Sequence, residues 1–154
     1  ENARDLEVRG KMLPGAALAG TAIENSMLGA AHSAANPLTA HYGIVHGAGG
    51  GMVLAHVIRF NAENEAAKRG YAELASGPEI ACVSEGVEQA VDALVQEIES
   101  LLEMADMPSS LGECGVREKD LPMLAAEAAK QWTAMFNPRA IGEKDFLGLF
   151  QAAF

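Results

Sequence analysis

The sequence predicts an all-α protein, folded as a single helical bundle over residues 1–154. Alanine, the strongest helix former, occurs 29 times, whereas Val, Ile and Thr, which favour strands, total 18. Apolar residues recur at helical spacing between residues 87 and 102, and no strand-like alternation continues beyond a few residues. A chain of this length can bury about 70% of its unfolded surface, so its core needs no disulfide or metal to hold it together.

The N-terminal half of the chain is expected to form a buried helical hairpin. A first helix is predicted from about Pro14 to Ala35, because its residues are apolar on nearly every side and such helices are typically buried. Asn36-Pro37 is expected to end it. After a short connection, a second buried helix is predicted from about Gly47 to Asn61.

The C-terminal half is expected to pack shorter helices around this hairpin. Apolar side chains alternate with acidic ones after Val87, which predicts an amphipathic helix with one buried stripe. Asp120-Leu121-Pro122 resembles a helix start, and Asn137-Pro138 a stop. The predicted helices cover residues 63–74, 87–102, 121–132 and 146–153.

Charge and cysteine content exclude several classes of protein. Lys and Arg total 11 and Asp and Glu total 21, so the net charge is −10, which disfavours nucleic acid and anionic membranes as partners. No apolar run approaches the roughly 18 residues that cross a bilayer, and no signal-peptide pattern opens the chain. Cys82 and Cys114 are typical of free thiols, which favours the cytoplasm. The start at Glu1 indicates a fragment or a processed chain.

All four histidines, His32, His41, His46 and His56, lie in the predicted hairpin. His32 and His46 are 14 residues apart across a turn that contains a proline, so both rings can point into one cavity. Neutral imidazoles on helix ends suit a divalent transition metal, but such sites usually need three or four ligands. A pair of structural histidines therefore stays open as the alternative.

Other polar groups near the hairpin are less specific. Asn36 either caps the first helix or faces the same cavity as His32, and capping is favoured because Pro37 follows. His41 is expected in the turn between the two helices, and His56 is expected to be a core residue on the second helix. The glycines at 47 and 49–51 match no phosphate-binding pattern, so close backbone packing is the favoured interpretation.

Short motifs follow one another along the chain in a fixed order. The N-terminal set comprises Ala19-Gly20, Asn25, Gly29-Ala30-Ala31-His32, Asn36-Pro37-Leu38, His46-Gly47, Leu54-Ala55-His56-Val57 and Asn61. The C-terminal set comprises Gly115-Val116, Asp120-Leu121-Pro122 and Asn137-Pro138-Arg139. In this order they resemble the C-terminal half of the iron-containing (group III) alcohol dehydrogenases. The resemblance covers nearly all of the chain.

This resemblance implies a fold and a missing partner. The family has two domains, and the chain resembles the helical C-terminal domain, which has the dehydroquinate synthase-like α fold. The N-terminal nucleotide-binding domain would be absent from this chain, so the chain alone is expected to be inactive. The partners implied are that missing half and a small alcohol or carbonyl substrate, and a homo-oligomer is left open.

The resemblance also implies the metal and the cofactor. In the family one divalent ion, Fe²⁺ or sometimes Zn²⁺, is held by an Asp and three His. His32 and His46 match the last two of these ligands, and the other two would lie upstream of Glu1. NAD or NADP would be bound mainly by the absent domain. Asn36 stands where the family has the second histidine of H-x-x-x-H, and is the candidate catalytic or substrate-side residue.

The implied function is oxidation of a small alcohol to an aldehyde or ketone by hydride transfer to NAD(P). Maleylacetate reductases and glycerol-type dehydrogenases of the same superfamily are the alternatives within this class. Gly47, directly after the second ligand histidine, favours the alcohol dehydrogenase branch. A stand-alone helical module without catalytic activity is the alternative outside it.

Overall fold

The computed structural model describes residues 4–77 and 86–154, and every regular element in those two ranges is a helix. The helices are α1 Leu6–Ser26, α2 Ala30–Tyr42, α3 His46–Asn61, α4 Glu65–Ala75, α5 Val87–Met104, α6 Leu121–Ala129 and α7 Glu143–Ala152. Two short 3₁₀ helices, Glu118–Asp120 and Trp132–Phe136, precede and follow α6. The absence of strands from the described ranges confirms the all-α prediction.

The main hydrophobic core lies between α2, α3, α6 and α7. Each helix contributes a side chain that is completely buried: Leu38, Val53, Leu124 and Phe146. Helices α4 and α5 pack against each other, and α5 also packs against α3 through Val91 and Val95. The buried positions of α5 follow its predicted apolar stripe, because that pattern depends only on helical periodicity.

The prediction of one continuous helix from Pro14 to Ala35 is wrong. Two helices occupy this stretch, separated by Met27, which adopts a left-handed φ of 64° that a helix cannot accommodate. Met27 is not glycine, so the sequence carried no local signal for this break. The break lets α1 leave the bundle while α2 enters its core.

Pro37 lies inside α2 and does not end it, contrary to the sequence-based expectation. Proline removes one helical hydrogen bond and crowds the preceding turn, at a cost of about 3 kcal/mol. Leu38 beside it is fully buried, and burying one leucine stabilises by roughly 1.5–3 kcal/mol. Tertiary burial along α2 therefore offsets the local preference, and the helix continues to Tyr42.

Helix α1 is exposed along its whole length, whereas the sequence predicted a buried central helix here. Residues 12–23 contain no charged side chain. The large apolar side chains left in contact with solvent are Leu6, Val8, Met12, Leu13, Leu18 and Ile23. A helix with this composition normally has a packing partner, and the described residues supply none.

Helix α6 begins at Leu121, with a proline in its first turn as predicted, but ends at Ala129 before the predicted limit at residue 132. The remaining residues form the 3₁₀ helix Trp132–Phe136. No helix within residues 4–77 and 86–154 is both long and apolar enough to span a membrane. Cys114 is a free thiol, and Cys82 lies outside the described residues.

Replacing Phe146 with alanine should destabilise the protein by about 3–5 kcal/mol, because this side chain is completely buried in the main core. Urea denaturation followed by circular dichroism measures the change in the free energy of unfolding. Phe154→Ala is the matched control: Phe154 is 42% exposed, and its loss should cost much less. Equal losses in the two variants would contradict this description of the core.

Candidate metal centre

His32 and His46 lie in contact at the surface of the bundle. His32 is in the first turn of α2, and His46 is the first residue of α3. The Nε2 atom of His46 is 2.9 Å from Nδ1 of His32, and the ring centroids are 4.6 Å apart. The two rings therefore meet at one point, although 14 residues separate them in sequence.

The packing of α3 against α2 creates this contact. Gly43 ends α2 in the left-handed conformation, with φ 65°, and its N–H donates to the Thr39 carbonyl. Gly49 then packs directly on α2, where a Cβ would lie 3.5 Å from Leu38 and 3.7 Å from Ala35. These are ordinary van der Waals distances, so a small residue is enough here, and the close backbone packing expected for the glycines at 47 and 49–51 is not required at this position.

The environment of His32 favours the neutral imidazole. The pKa of His32 is lowered, first by its partial burial and then by the proximity of His46. A hydrogen bond between two imidazoles requires one nitrogen to donate and the other to accept, so at least one ring must be neutral. The neutral ring is also the form that binds a metal ion.

The two nitrogens are near the separation of two ligands of one ion. Metal–imidazole bonds are about 2.0–2.1 Å long, so two such nitrogens on one tetrahedral ion lie about 3.3 Å apart. The observed 2.9 Å between Nε2 of His46 and Nδ1 of His32 is a hydrogen-bond distance, so the two rings would have to separate slightly to bind one ion. Residues 4–77 and 86–154 contain no group of three or more His, Cys, Asp or Glu that could hold a metal. Within these residues, His32 and His46 are therefore two donors of an incomplete ligand set.

Asn36 lies one turn after His32, on the same side of α2. Its Nδ2 donates to Oε1 of Gln131 at 2.9 Å, which ties α2 to the residue before the second 3₁₀ helix. The interpretation of Asn36 as a helix cap is wrong, because α2 continues six residues beyond it to Tyr42. Gln131 carried no signal in the sequence, since 95 residues separate it from Asn36.

Comparison with known proteins identifies the family. All 154 residues match the sequence model described as "Fe-containing alcohol dehydrogenase family, C-terminal". The chain belongs to this family. It is 31% identical over 152 residues to lactaldehyde reductase of Escherichia coli K12, and 32% identical over 154 residues to 1,3-propanediol dehydrogenase of Klebsiella pneumoniae. These alignments cover 99% and 97% of the chain, but only 39% and 38% of the relatives.

Solved structures agree with this assignment. The alcohol dehydrogenase from Oenococcus oeni superposes with a TM-score of 0.92 at 28% identity, covering 99% of this chain and 39% of that one. A 1,3-propanediol oxidoreductase superposes with a TM-score of 0.83 at 31% identity, covering 89% of this chain and 35% of that one. The chain spans about two fifths of the length of the relatives and structures it matches.

The other two histidines lie apart from the His32–His46 pair. His41 is in the last turn of α2, not in a connecting turn, and its Nε2 is 2.8 Å from a carboxylate oxygen of Glu127. His56 lies on α3 as expected but is only half-buried. Burial lowers the pKa of His56, Arg59 lowers it further, and Glu99 opposes both effects.

Two polar contacts near the first turn of α2, one buried and one partly buried, were not predicted from the sequence. The hydroxyls of Ser33 and Thr133 are 2.7 Å apart, and the side chains of Asn61 and Asn137 hydrogen-bond to each other. Asn137-Pro138 indicated only the end of a helix. A further role for Asn137 could have been suspected from one signal only: Asn137-Pro138-Arg139 is among the motifs that resemble the family.

The lowered pKa of His56 predicts a loss of stability in mild acid. The unfolded chain takes up a proton near pH 6.5, whereas the folded protein resists protonation until a lower pH. Stability from His56 is therefore present above pH 6.5 and is lost as the pH falls through that value toward the folded pKa. His56→Gln should reduce the decrease in urea midpoint between pH 8 and pH 5.

A second variant, at Glu99, tests whether His56 causes this pH dependence. Glu99→Gln removes the carboxylate that favours protonated His56, so it should lower the pKa of His56 further and enlarge the loss in acid. His32 titrates in the same direction, so a residual pH dependence is expected in every variant. If the pH profiles of His56→Gln and the unmodified protein coincide, the assignment is wrong.

Proposed function

We propose that this chain is the metal-binding helical half of an NAD(P)-dependent, iron-containing alcohol dehydrogenase. The observation that carries the proposal is the convergence of His32 and His46, whose nitrogens lie 2.9 Å apart at the ends of two packed helices. Both residues match ligand positions in the family motifs, and the whole chain matches the C-terminal model of that family. Fe²⁺ is the proposed ion, with Zn²⁺ as the alternative.

The chain's contribution to the reaction is to hold and orient the metal. Lowering of the pKa of His32 keeps that imidazole neutral and available as a ligand. When bound, the ion acts as a Lewis acid that stabilises an alkoxide or polarises a carbonyl for hydride transfer with a nicotinamide. Asn36, on the same side of α2 as His32, is the proposed substrate-side residue. Its amide cannot relay a proton as a histidine would, so we assign it hydrogen bonding only.

Small alcohols and the corresponding carbonyl compounds are the proposed substrates. This class follows from the names of the relatives, which include a lactaldehyde reductase and a 1,3-propanediol dehydrogenase. Most residues of these relatives lie outside the region that the chain matches. The choice between NAD and NADP therefore falls to the proposed N-terminal half, which would bind the cofactor.

We also propose that an N-terminal half precedes this chain and completes the site. Two features of the described residues support this proposal. The His32–His46 pair has no further metal donors there, and the apolar helix α1 has no packing partner there. Only the three residues Met27, Leu28 and Gly29 separate α1 from α2, which carries His32. A segment that covers α1 near this junction would also lie close enough to supply ligands.

In the longer enzyme, His32→Ala and His46→Ala should each abolish stoichiometric metal binding, because each removes one of the proposed ligands. The loss should exceed the roughly 10–100-fold effect of changing an outer-shell partner. Metal content after dialysis, measured by plasma mass spectrometry, gives the result, and activity with a small aldehyde and NADH or NADPH should fall with it.

His41→Ala is the matched control for these two variants. It also removes an imidazole from α2, but one that pairs with Glu127 and not with His46. Its metal content should equal that of the unmodified enzyme. Unchanged metal content in both His32→Ala and His46→Ala would overturn the ligand assignment, and the non-catalytic module would then be favoured.

The isolated 154-residue chain should self-associate, because α1 exposes its apolar side chains to water. Leu13→Glu combined with Leu18→Glu should shift the chain toward monomer, since both leucines are 71% exposed on α1. Sedimentation velocity over a range of concentrations measures the distribution. Leu74→Glu, at an exposed leucine on α4, should leave it unchanged. A monomer at every concentration would count against the proposed role of α1.

A further inference from the structure

We infer that Asn137 is a positioning residue for the metal centre: it holds the first turn of α2 in place and thereby orients His32. The inference rests on the proposed function, in which His32 is a metal ligand. It assigns a role to a side chain that lies 105 positions further along the chain than the histidine it would orient.

The first turn of α2 has no cap of its own. Its N-cap residue is Gly29, which has no side chain to accept a hydrogen bond from the free N–H groups of the turn. The Oδ1 atom of Asn137 accepts from the backbone N–H of Ala30 at 3.2 Å and takes that place. His32 follows Ala30 by two residues, within the same turn.

Gly29 is small where Asn137 approaches. A Cβ at residue 29 would lie 3.1 Å from Oδ1 of Asn137, which is tighter than ordinary van der Waals contact. The glycine therefore gives the amide room to reach the N–H of Ala30. This close fit makes the contact sensitive to a single added methyl group.

Asn137 is itself held from several sides. Its Nδ2 donates to Oδ1 of Asn61 at 2.7 Å and to the Arg139 carbonyl at 2.7 Å, while Nδ2 of Asn61 donates back to Oδ1 of Asn137 at 3.2 Å. Asn61 is only 2% exposed and also donates to the Tyr71 hydroxyl at 3.0 Å. The Asn137 amide thus uses both its donor and its acceptor atoms and has one defined orientation.

Arg139 anchors the same segment to the C-terminal end of α3. Its guanidinium donates to the Phe60 carbonyl at 2.9 Å, lies 3.8 Å from the centroid of the Phe60 ring, and pairs with Glu63 at 2.7 Å. Residues 137–139 therefore join the start of α2 to the end of α3. These are the two helices that carry His32 and His46.

A metal site tolerates only small displacements of its ligands. Ligands must be held within about 0.5 Å of their required positions, and hydrogen bonds beyond the ligands provide that restraint. A first helical turn frays most easily because its N–H groups lack partners within the helix. Loss of the Asn137 contact should therefore let His32 move and weaken metal binding, while the fold remains.

The test uses the full-length enzyme, stripped of metal and titrated with Zn²⁺ against a chromophoric chelator. Asn137→Ala should weaken Zn²⁺ affinity roughly 10–100-fold. Gly29→Ala should weaken it in the same direction, because the added Cβ displaces the Asn137 amide without removing any polar group. Gly29→Ala also decides the question if Asn137→Ala fails to fold.

Tyr42→Phe is the matched control for general destabilisation of α2. It removes both hydrogen bonds of the Tyr42 hydroxyl, which donates to Asp120 and accepts from the backbone N–H of Arg117, at the opposite end of the same helix. Thermal unfolding of the metal-free proteins compares the loss of stability. At a similar loss, Tyr42→Phe should keep Zn²⁺ affinity within about threefold of the unmodified enzyme, below the outer-shell effect.

Asn137→Asp provides a rescue. The carboxylate keeps an oxygen that can accept from the N–H of Ala30 but loses both donors, so affinity should recover part of the way. Unaltered affinity in both Asn137→Ala and Gly29→Ala would overturn the inference, as would equal weakening in Tyr42→Phe. His32→Ala separates the two proposals: if it binds Zn²⁺ normally, the ligand assignment itself fails.

Discussion

The close packing of α3 on α2 is the interaction on which the rest of the structure depends. Gly49 lies against Ala35 and Leu38 where the two helices meet, and this packing places His46 against His32. Both helices then bury side chains against α6 and α7, so the main core and the candidate site share one scaffold. A rigid helix pair suits a metal centre because small displacements of its ligands weaken binding.

The two unsatisfied features of the chain lie close together in sequence. The histidine pair has too few partners among the described residues to complete a metal site, and α1 has too few to bury its apolar surface. The three-residue junction after α1 leads directly into the turn that carries His32. The proposed N-terminal half would account for both. The short span of the chain relative to its relatives agrees with this explanation.

Helices whose pattern is amphipathic were predictable, and helices set by tertiary contacts were not. The buried stripe of α5 follows from the spacing of Val91, Leu94 and Val95, because one face meets the protein and the other meets water. The stretch from 14 to 35 is apolar on all sides, so periodicity could not place the break at Met27. The prediction that Pro37 ends the helix failed for a related reason. Sequence rules account for the hydrogen bond that proline removes, but they do not account for the burial of the neighbouring side chains.

The sequence by itself determined the helical class and the family motifs, and it singled out His32, His46 and Asn36 as candidate ligand or substrate-side residues. Residue type and spacing carry that information directly. Only the tertiary structure decided that the two imidazoles touch, that Asn36 pairs with Gln131, and that Asn137 caps α2. The last two contacts join residues 95 and 107 positions apart. Hydrogen bonds over such separations leave no local periodicity, because they exist only after the helices have packed.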